Sequence, residues 1–279
     1  MRVTGVELHP VGSDVVQTLS FRNPGRAFPY NVKEITGLDA DAIVTKYYGS
    51  SGIGNDLFYN LMIEKRDVVM RIGLNPDWTD LSYSELRDAL YKLISSSRTG
   101  LVDIWFTNEA GAVAILSGWV TKFESPQFVQ SPEVIISFKT KDPMLKAPVP
   151  VTPPVANLPS TNAHIPDPVS TAPHGFEFIL TFTGAMASLV ISDPRDASWS
   201  FTVTPAGGFL TGDVLHFSSD PNDKKLYIVR AESTIYLADK IASGSVWPIM
   251  FPGDNRFSLS TPGSVHWTSI SYFPTFWGV

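Results

Sequence analysis

Few side chains in this chain have the type and spacing that chemistry needs. The five histidines are scattered, and no two of them stand at the spacing of a metal-binding pair. They are His9, His164, His174, His216 and His266. The absence of cysteine excludes disulfides, thiolate nucleophiles and cysteine-ligated metals. We therefore predict no bound metal and no cofactor.

Two acidic pairs, Asp193 with Asp196 and Asp220 with Asp223, are the remaining catalytic candidates. Glycoside hydrolysis needs two carboxyl groups that face each other across a cleft, and closeness in a turn does not provide that. Aspartates beside proline and asparagine are more typical of turns. The segment 49–54, GSSGIG, lacks the lysine and the following helix of a phosphate-binding loop, so we interpret it as a flexible loop. These observations predict that the chain is not an enzyme.

Aromatic residues are the richer signal in the last third of the chain. They include Trp199, Trp247, Trp267, Trp277 and Tyr227. Large aromatics in alternating strands are typical of a core, and tyrosine and tryptophan also anchor protein–protein contacts. An alternative is a carbohydrate-binding β-sandwich that contacts host surface glycans, with Trp199 and Tyr227 as the contact residues. Both interpretations stay open at this point.

Composition limits the class of protein. The 279 residues are 43% hydrophobic and 17% charged, with a net charge of -6, so the chain can bury a core and is not disordered. A mildly acidic chain without basic clusters is a poor candidate for nucleic acid or anionic membranes. The start, MRVTGVELHP, lacks the apolar stretch of a signal peptide. We expect a soluble protein made in the cytoplasm.

A proline-rich stretch divides the chain. Nine of the 22 prolines lie between Pro143 and Pro173, and proline fits neither a helix interior nor a central strand. We therefore predict a first domain over residues 1–147, an extended linker over 148–174 and a second domain over 175–279. The segment 265–279 could stay in the second domain or return to the first.

The first domain is predicted to contain strands and one helix. Alternation predicts a hairpin formed by 57–63 and 68–72, a second hairpin around the turn 108–111, and a strand over 134–140. Ser82 and Glu85 have the spacing of a capping box, and a stripe of apolar residues follows at helical spacing. That stripe consists of Leu86, Ala89, Leu90, Leu93 and Ile94, with Gly100 as the stop signal.

The second domain is predicted to be entirely β. Phe176, Phe178, Leu180 and Phe182 share one face of a strand, and Trp199, Phe201 and Val203 share another. Further short strands cover 189–191, 214–217, 226–229 and 235–237, separated by turns rich in Gly, Asp, Pro and Asn. Short, regularly spaced strands indicate a sandwich or barrel.

One C-terminal motif carries a family resemblance. Residues 246–257 read VWPIMFPGDNRF, in which Pro252-Gly253 forces a turn and Asn255 can hydrogen-bond it locally. This resembles the L-x-PG-x-N-x-apolar signature of the distal tail (Dit) proteins of long-tailed bacteriophages, with Phe251 in place of leucine. Gly212-Asp213-Val214-Leu215 is similar to a second element of that family. The last residues, which include Trp277, are similar to its aromatic last strand, although Phe273 replaces the usual arginine.

The resemblance implies an architecture and a role. It implies a belt domain, a β-sandwich with one helix that closes into a homohexameric ring, and a C-terminal galectin-like β-sandwich outside the ring. The implied partners are copies of itself, the tail tube protein and the tail hub or tail-associated protein, with the tape measure and receptor-binding or side-fibre proteins as further candidates. The implied location is the distal tail tip of the virion. Trp247, Pro252, Gly253, Asn255 and Trp277 are the motif residues.

Overall fold

A computed structural model gives the fold of the chain. It describes residues 3–21, 28–38, 43–47, 59–63, 65–97, 99–125, 132–154, 163–221, 223–260 and 264–278. The chain divides into two compact units. Unit 1 comprises Met1–Pro148 together with Phe276–Val279, and unit 2 comprises Val149–Thr275. The predicted mostly β fold with a helix in the first part is confirmed.

Unit 1 is built around one large sheet. The strands of unit 1 are β1 (Gly5–Pro10), β2 (Gln17–Phe21), β3 (Tyr30–Thr36), β4 (Ile43–Tyr47), β5 (Tyr59–Ile63), β6 (Asp67–Leu74), β7 (Leu101–Asn108), β8 (Gly111–Glu124), β9 (Glu133–Thr140) and β10 (Leu145–Lys146). The short last strand, β20 (Thr275–Phe276), joins this sheet beside β10. The order is β20-β10-β8-β7-β1-β2-β3-β6-β9, and β4 and β5 form a separate pair.

The long strand β8 closes the sheet on itself. Residues 111–119 of β8 pair with β7, and residues 118–124 pair with β9. Seven strands therefore form a closed cycle, in which β2 and β3 are parallel and the other pairs are antiparallel. Alternate side chains point into one apolar core, whose members include Val6, Met70, Ile104, Leu116 and Ile136. Closure removes the exposed edges that an open sheet would carry.

The helix α1 (Tyr83–Ser95) begins where the sequence predicts. The Ser82 hydroxyl accepts from the Glu85 N–H, and the Glu85 carboxylate accepts from the Ser82 N–H, so both halves of the capping box are present. Leu86, Leu90 and Leu93 are buried in the core of unit 1. Burying three such side chains contributes roughly 1.5–3 kcal/mol each, as an upper estimate. The helix ends at Ser95, five residues before Gly100.

Unit 1 also corrects one predicted pairing. The hairpin around residues 108–111 is present, because β7 and β8 pair on either side of it and the Asn108 side chain accepts from the Ala110 N–H at 2.8 Å. The hairpin predicted for 57–63 and 68–72 is wrong: β5 pairs with β4, whereas β6 lies between β3 and β9. The glycine-rich segment 49–54 lies outside the described residues.

Unit 2 is a β-sandwich. Its strands are β11 (Ala163–Asp167), β12 (Glu177–Phe182), β13 (Leu189–Asp193), β14 (Asp196–Val203), β15 (Val214–Ser218), β16 (Lys225–Arg230), β17 (Ser233–Tyr236), β18 (Gly253–Leu259) and β19 (Val265–Ser271). One sheet has the order β11-β18-β13-β14 and the other β17-β16-β15-β12-β19. Both sheets contribute to one core, with Ile191, Phe201 and Phe257 from the first and Phe178 and Leu215 from the second. The predicted strands of this region are present.

The proline-rich stretch differs from the expected linker. Residues 149–174 belong to unit 2, and β11 places Ala163 and Ile165 in its core. β11 contains Pro166 and lies at the edge of its sheet. An edge strand tolerates proline, which has no N–H to donate to a neighbouring strand. The segment 265–279 divides between the units: β19 pairs with β12 in unit 2, whereas the chain from Phe276 onward is grouped with unit 1.

No helix among the described residues is long and apolar enough to cross a membrane. Besides α1, the described helices are two short 3-10 turns, Pro76–Trp78 and Ala238–Lys240.

Candidate interaction sites

The acidic pairs are explained by turn geometry. The Asp193 carboxylate accepts from the Arg195 N–H at 2.8 Å and from the Arg195 guanidinium at 2.9 Å. The hydrogen bond from Arg195 lowers the pKa of Asp193. The Asp223 N–H donates to the Asp220 carbonyl at 2.9 Å, which closes a second turn. In the described part of the chain, no three or more His, Asp or Glu side chains are grouped so that they could hold a metal ion.

The family motif forms a turn that a buried amide ties together. Gly253 has a φ of +100°, a conformation that disfavours any side chain. Asn255 is only 4% exposed, and its amide oxygen accepts from the Phe251 N–H at 2.8 Å. Its amide nitrogen donates to the Phe251 carbonyl at 2.8 Å and reaches the Gly253 carbonyl at 3.4 Å. The local hydrogen bonds expected of Asn255 are therefore present, and they fix the entry into β18.

Trp247 and Pro252 flank the buried residues Pro248 and Met250 of this segment. The Trp247 ring packs on the core, with its centroid 5.2 Å from Phe201 and 5.1 Å from Phe217. The Lys224 ammonium lies 5.1 Å from the centre of the same ring. Pro252 is exposed and precedes the turn glycine. The motif thus anchors the long connection from the 3-10 turn at 238–240 to β18.

The second family element, Gly212-Asp213-Val214-Leu215, contributes the buried Asp213 to an ion pair with Arg230. Asp213 is 1% exposed and receives two bonds from the Arg230 guanidinium, at 2.9 and 2.6 Å. The Leu210 N–H also donates to it at 2.8 Å. Burial opposes ionisation of Asp213, but these hydrogen bonds and the charge of Arg230 outweigh it, so the pKa of Asp213 is lowered. This pair ties the start of β15 to the end of β16.

Trp277 in unit 1 is bound through its backbone. Arg66 is 6% exposed, and its guanidinium donates to the Trp277 carbonyl at 2.6 Å and to the Leu38 carbonyl. The Arg66 N–H donates to the Thr140 hydroxyl at 2.8 Å. A buried arginine therefore holds the C-terminal residues of the chain against unit 1. Nothing in the local sequence pattern singles out Arg66, because the carbonyls that it binds lie far away along the chain.

Trp199 and Tyr227, the two possible glycan contacts, are not brought together. Trp199 lies on β14 in the four-stranded sheet and packs on the core, with its ring 6.4 Å from that of Phe257. Tyr227 lies on β16 in the five-stranded sheet, outside the core, and stacks on His216 with the ring centroids 4.7 Å apart. The two residues therefore lie on different sheets, and of the two only Tyr227 faces outward.

A buried polar cluster lies in the stretch that was expected to be a linker. Asp167 is 1% exposed, accepts from the Ser170 N–H at 3.1 Å, and lies 3.6 Å from the imidazole of His174. The Tyr272 hydroxyl donates to the Pro166 carbonyl at 3.1 Å. Burial, together with the charge of Asp167, raises the pKa of Tyr272 to about 12. These contacts hold residues 166–174 against the end of β19.

Comparison with known proteins gives a match in structure. No family model and no curated protein matches the sequence. The Dit (gp 19.1) protein of phage SPP1 matches with a TM-score of 0.58 at 14% identity, over 88% of this chain and 93% of that one. The chain has the fold of SPP1 Dit. The phage P2 baseplate in its activated conformation with Ca gives a TM-score of 0.47 at 9% identity, over 98% of this chain and 98% of that one. The same baseplate in its activated conformation with Sr gives a TM-score of 0.45 at 10% identity, over 97% of this chain and 98% of that one.

The similarity to SPP1 Dit confirms the resemblance inferred from the C-terminal motif at the level of the fold. It extends over both units, whereas the specific motifs cover only the last hundred residues or so. At 14% identity, the two chains share a backbone fold but have identical residues at few positions.

Proposed function

We propose that the chain is a structural component of the tail tip of a long-tailed phage. Six copies form a distal tail ring that joins the tail tube to the hub and the receptor-binding apparatus. The observation that carries this proposal is the fold match to SPP1 Dit, described as a paradigm of the hub adsorption apparatus in phages that infect Gram-positive bacteria. The match covers nearly the whole of both chains, so it includes both units of the architecture.

In this proposal unit 1 is the ring-forming belt, and unit 2 takes the place of the outer, galectin-like sandwich. A cyclic ring needs two different faces on each copy, and the buried centre of such a face is enriched in aromatic and apolar side chains. Unit 1 offers such a surface on the outside of β7 and β8. Val102 and Ile104 alternate inward, while Trp105, Ile115 and Trp119 point outward and are only half-buried. We assign this outer face of β7 and β8 to the contact between neighbouring copies.

The proposed role is structural and not catalytic. The acidic pairs are used in turns, and Asp213 and Asn255 are used to fix loops in the sandwich. The partners we propose are further copies of this chain, the tail tube protein and the tail hub protein. The proposed location is the distal end of the tail in the virion.

Native mass spectrometry of the purified chain tests the ring. The expected species has six times the mass of the 30.6 kDa chain, about 184 kDa. Ile115→Arg places a charge on the outer face of β7 and β8 and is expected to shift the population to smaller species. Ala206→Arg, in an exposed turn of unit 2, is the matched control and should leave the population unchanged.

Two results would contradict the proposal in different ways. A chain that stays monomeric at every concentration, and is also absent from purified virions, would remove the tail role altogether. A hexamer that Ile115→Arg leaves intact, with both variants folded, would keep the ring and refute the assignment of the β7 and β8 face.

A further inference from the structure

The outer face of the five-stranded sheet in unit 2 carries a row of aromatic side chains. His216 on β15 pairs with Tyr227 on β16, and Tyr227 pairs with Tyr236 on β17, so the three side chains lie side by side across the sheet. Their neighbours along the strands, such as Leu215 and Ile228, are buried in the core. The row therefore points away from the core. We call these three residues the aromatic row.

The geometry of the aromatic row leaves one ring open to solvent. The His216 and Tyr227 rings are stacked, 4.7 Å apart with an interplanar angle of 8°, whereas Tyr236 lies 5.9 Å from Tyr227 at 56°. Tyr236 is 74% exposed, the largest value among the described large hydrophobic side chains. An aromatic ring so exposed contributes little to the core, so burial does not explain its presence.

The hairpin between β16 and β17 fixes where Tyr236 stands. Ala231 and Glu232 form its turn with φ values of +45° and +68°. Two consecutive positive φ values are typical of the tight turn that best matches the twist of paired strands. Because this turn sets the register, Tyr236 is held opposite Tyr227. The row is therefore preorganised by the backbone, which lowers the entropic cost of binding a ligand.

Polar side chains border the aromatic row on the same face. On one side, Ser218 pairs with Glu177 and with Lys225, and both of these charged side chains are exposed. On the other side, Thr234 pairs with Val229. The exposed side chains of Glu177, Lys225 and Thr234 offer both hydrogen-bond donors and acceptors, whereas Ser218 is buried and Val229 is apolar. Lys225 is bonded to Asp223, so the face presents no excess of positive charge for a phosphate or another anion.

A pyranose sugar has the matching chemistry. One face of its ring is lined by C–H groups that pack on an aromatic ring, and its hydroxyls at the rim need donors and acceptors beside that ring. We propose that the aromatic row binds a neutral saccharide, which stacks on Tyr236 while its hydroxyls bond to the polar side chains around the row. Burial lowers the pKa of His216, so its imidazole is neutral at neutral pH and does not favour an anionic ligand. This inference concerns the single chain and does not depend on the ring.

Binding to a glycan array tests the proposal with the full-length chain. The array carries neutral hexose oligosaccharides together with sialylated and phosphorylated glycans as anionic probes. We expect saturable binding to at least one neutral oligosaccharide, and loss of affinity by about tenfold or more with Tyr236→Ala. Tyr236→Trp retains an aromatic face and should retain binding. Tyr91→Ala is the matched control, because Tyr91 is also highly exposed, at 60%, and lies on α1 in unit 1.

Circular dichroism and thermal unfolding establish that each variant is folded. Because Tyr236 lies on an edge strand outside the core, Tyr236→Ala is expected to unfold at nearly the same temperature as the parent chain. The proposal is overturned if no neutral glycan binds, if only anionic glycans bind, or if Tyr236→Ala and Tyr91→Ala change affinity equally. It is also overturned if the face binds another tail protein and no sugar. None of these outcomes would affect the proposed ring.

Discussion

Replacing Asn255 with alanine removes the amide that ties the motif turn together. The two short bonds to the Phe251 N–H and carbonyl, both 2.8 Å, are lost, together with the longer contacts to the Gly253 and Ile165 carbonyls, at 3.4 and 3.5 Å. The alanine methyl can replace none of them. The change lies at the start of β18, a strand that pairs with both β11 and β13. The perturbation should therefore be felt first in the four-stranded sheet of unit 2.

The magnitude follows from the bonds and their exposure. A neutral hydrogen bond contributes about 0.5–1.5 kcal/mol net, and a buried group left without its partner costs about 1–3 kcal/mol. Phe251 is 54% exposed, so water can reach part of its backbone after the substitution and the lower ends of these ranges apply. We expect Asn255→Ala to reduce the free energy of opening of this region by about 2 kcal/mol. That corresponds to amide hydrogen exchange roughly thirtyfold faster in β18 and β11.

Hydrogen exchange followed by mass spectrometry measures this effect strand by strand, which separates the two units. Asn255→Asp keeps the oxygen that accepts from the Phe251 N–H but places a buried carboxylate oxygen against the Phe251 and Gly253 carbonyls. Because a buried carboxylate oxygen without a donor is costly, this variant should exchange at least as fast as the alanine variant. Arg256→Ala changes the next, exposed side chain of the same strand and should shift stability by no more than about 0.5 kcal/mol. If Asn255→Ala exchanges like the parent chain in β18 and β11, the role assigned to this amide is refuted.

Three further perturbations have defined outcomes. Arg66→Met removes the bond to the Trp277 carbonyl, so exchange after residue 275 should accelerate at least tenfold, and an unchanged rate would contradict the anchoring role. The folded pKa of Tyr272, about 12, lies above its unfolded value of 10.0, so the contribution of Tyr272 to stability should be constant below pH 10 and fall between pH 10 and 12 by at most about 2.7 kcal/mol. In denaturant titrations Tyr272→Phe should remove that fall, and an identical slope would refute the assignment. Ser82→Ala should cost about 1 kcal/mol in urea unfolding, whereas Ser82→Gly should cost only a few tenths, and equal effects would argue against the cap.

Local structure could be predicted from the sequence because its causes are local. The capping box at Ser82, the turn at Asn108 and the alternation of Phe178, Leu180 and Phe182 each depend on residues a few positions apart. The hydrogen bonds of Asn255 within its turn belong to the same class. Such features need no knowledge of which distant segments meet.

Pairing between distant strands could not be predicted in the same way. The alternation in 59–63 and 67–74 indicates strands but not their partners, and the short sequence distance between them wrongly suggested a hairpin. Closure of the sheet requires β8 to pair with both β7 and β9. This double pairing depends on the length and the bend of β8 in three dimensions. The proline-rich stretch was taken as a linker because proline disfavours central strands, although an edge strand tolerates it.

The candidate sites show the same difference between residues that are close in the sequence and residues that only the fold brings together. Asn255 and Gly253 were found because their motif is contiguous in the sequence. Tyr227 was singled out, but its neighbours His216 and Tyr236 in the aromatic row were not, because only the registers of β15, β16 and β17 bring them together. Arg66 gave no signal, since its partner carbonyl lies more than two hundred residues away, at Trp277.

A reconstruction of the tail tip from virions that carry this chain tests the proposed ring most directly. We predict six copies around the tail axis below the last ring of the tube, with unit 1 forming the continuous belt and unit 2 outside it. A tail tip in which this chain is absent, or in which it occurs as isolated copies that do not contact one another, would contradict the account.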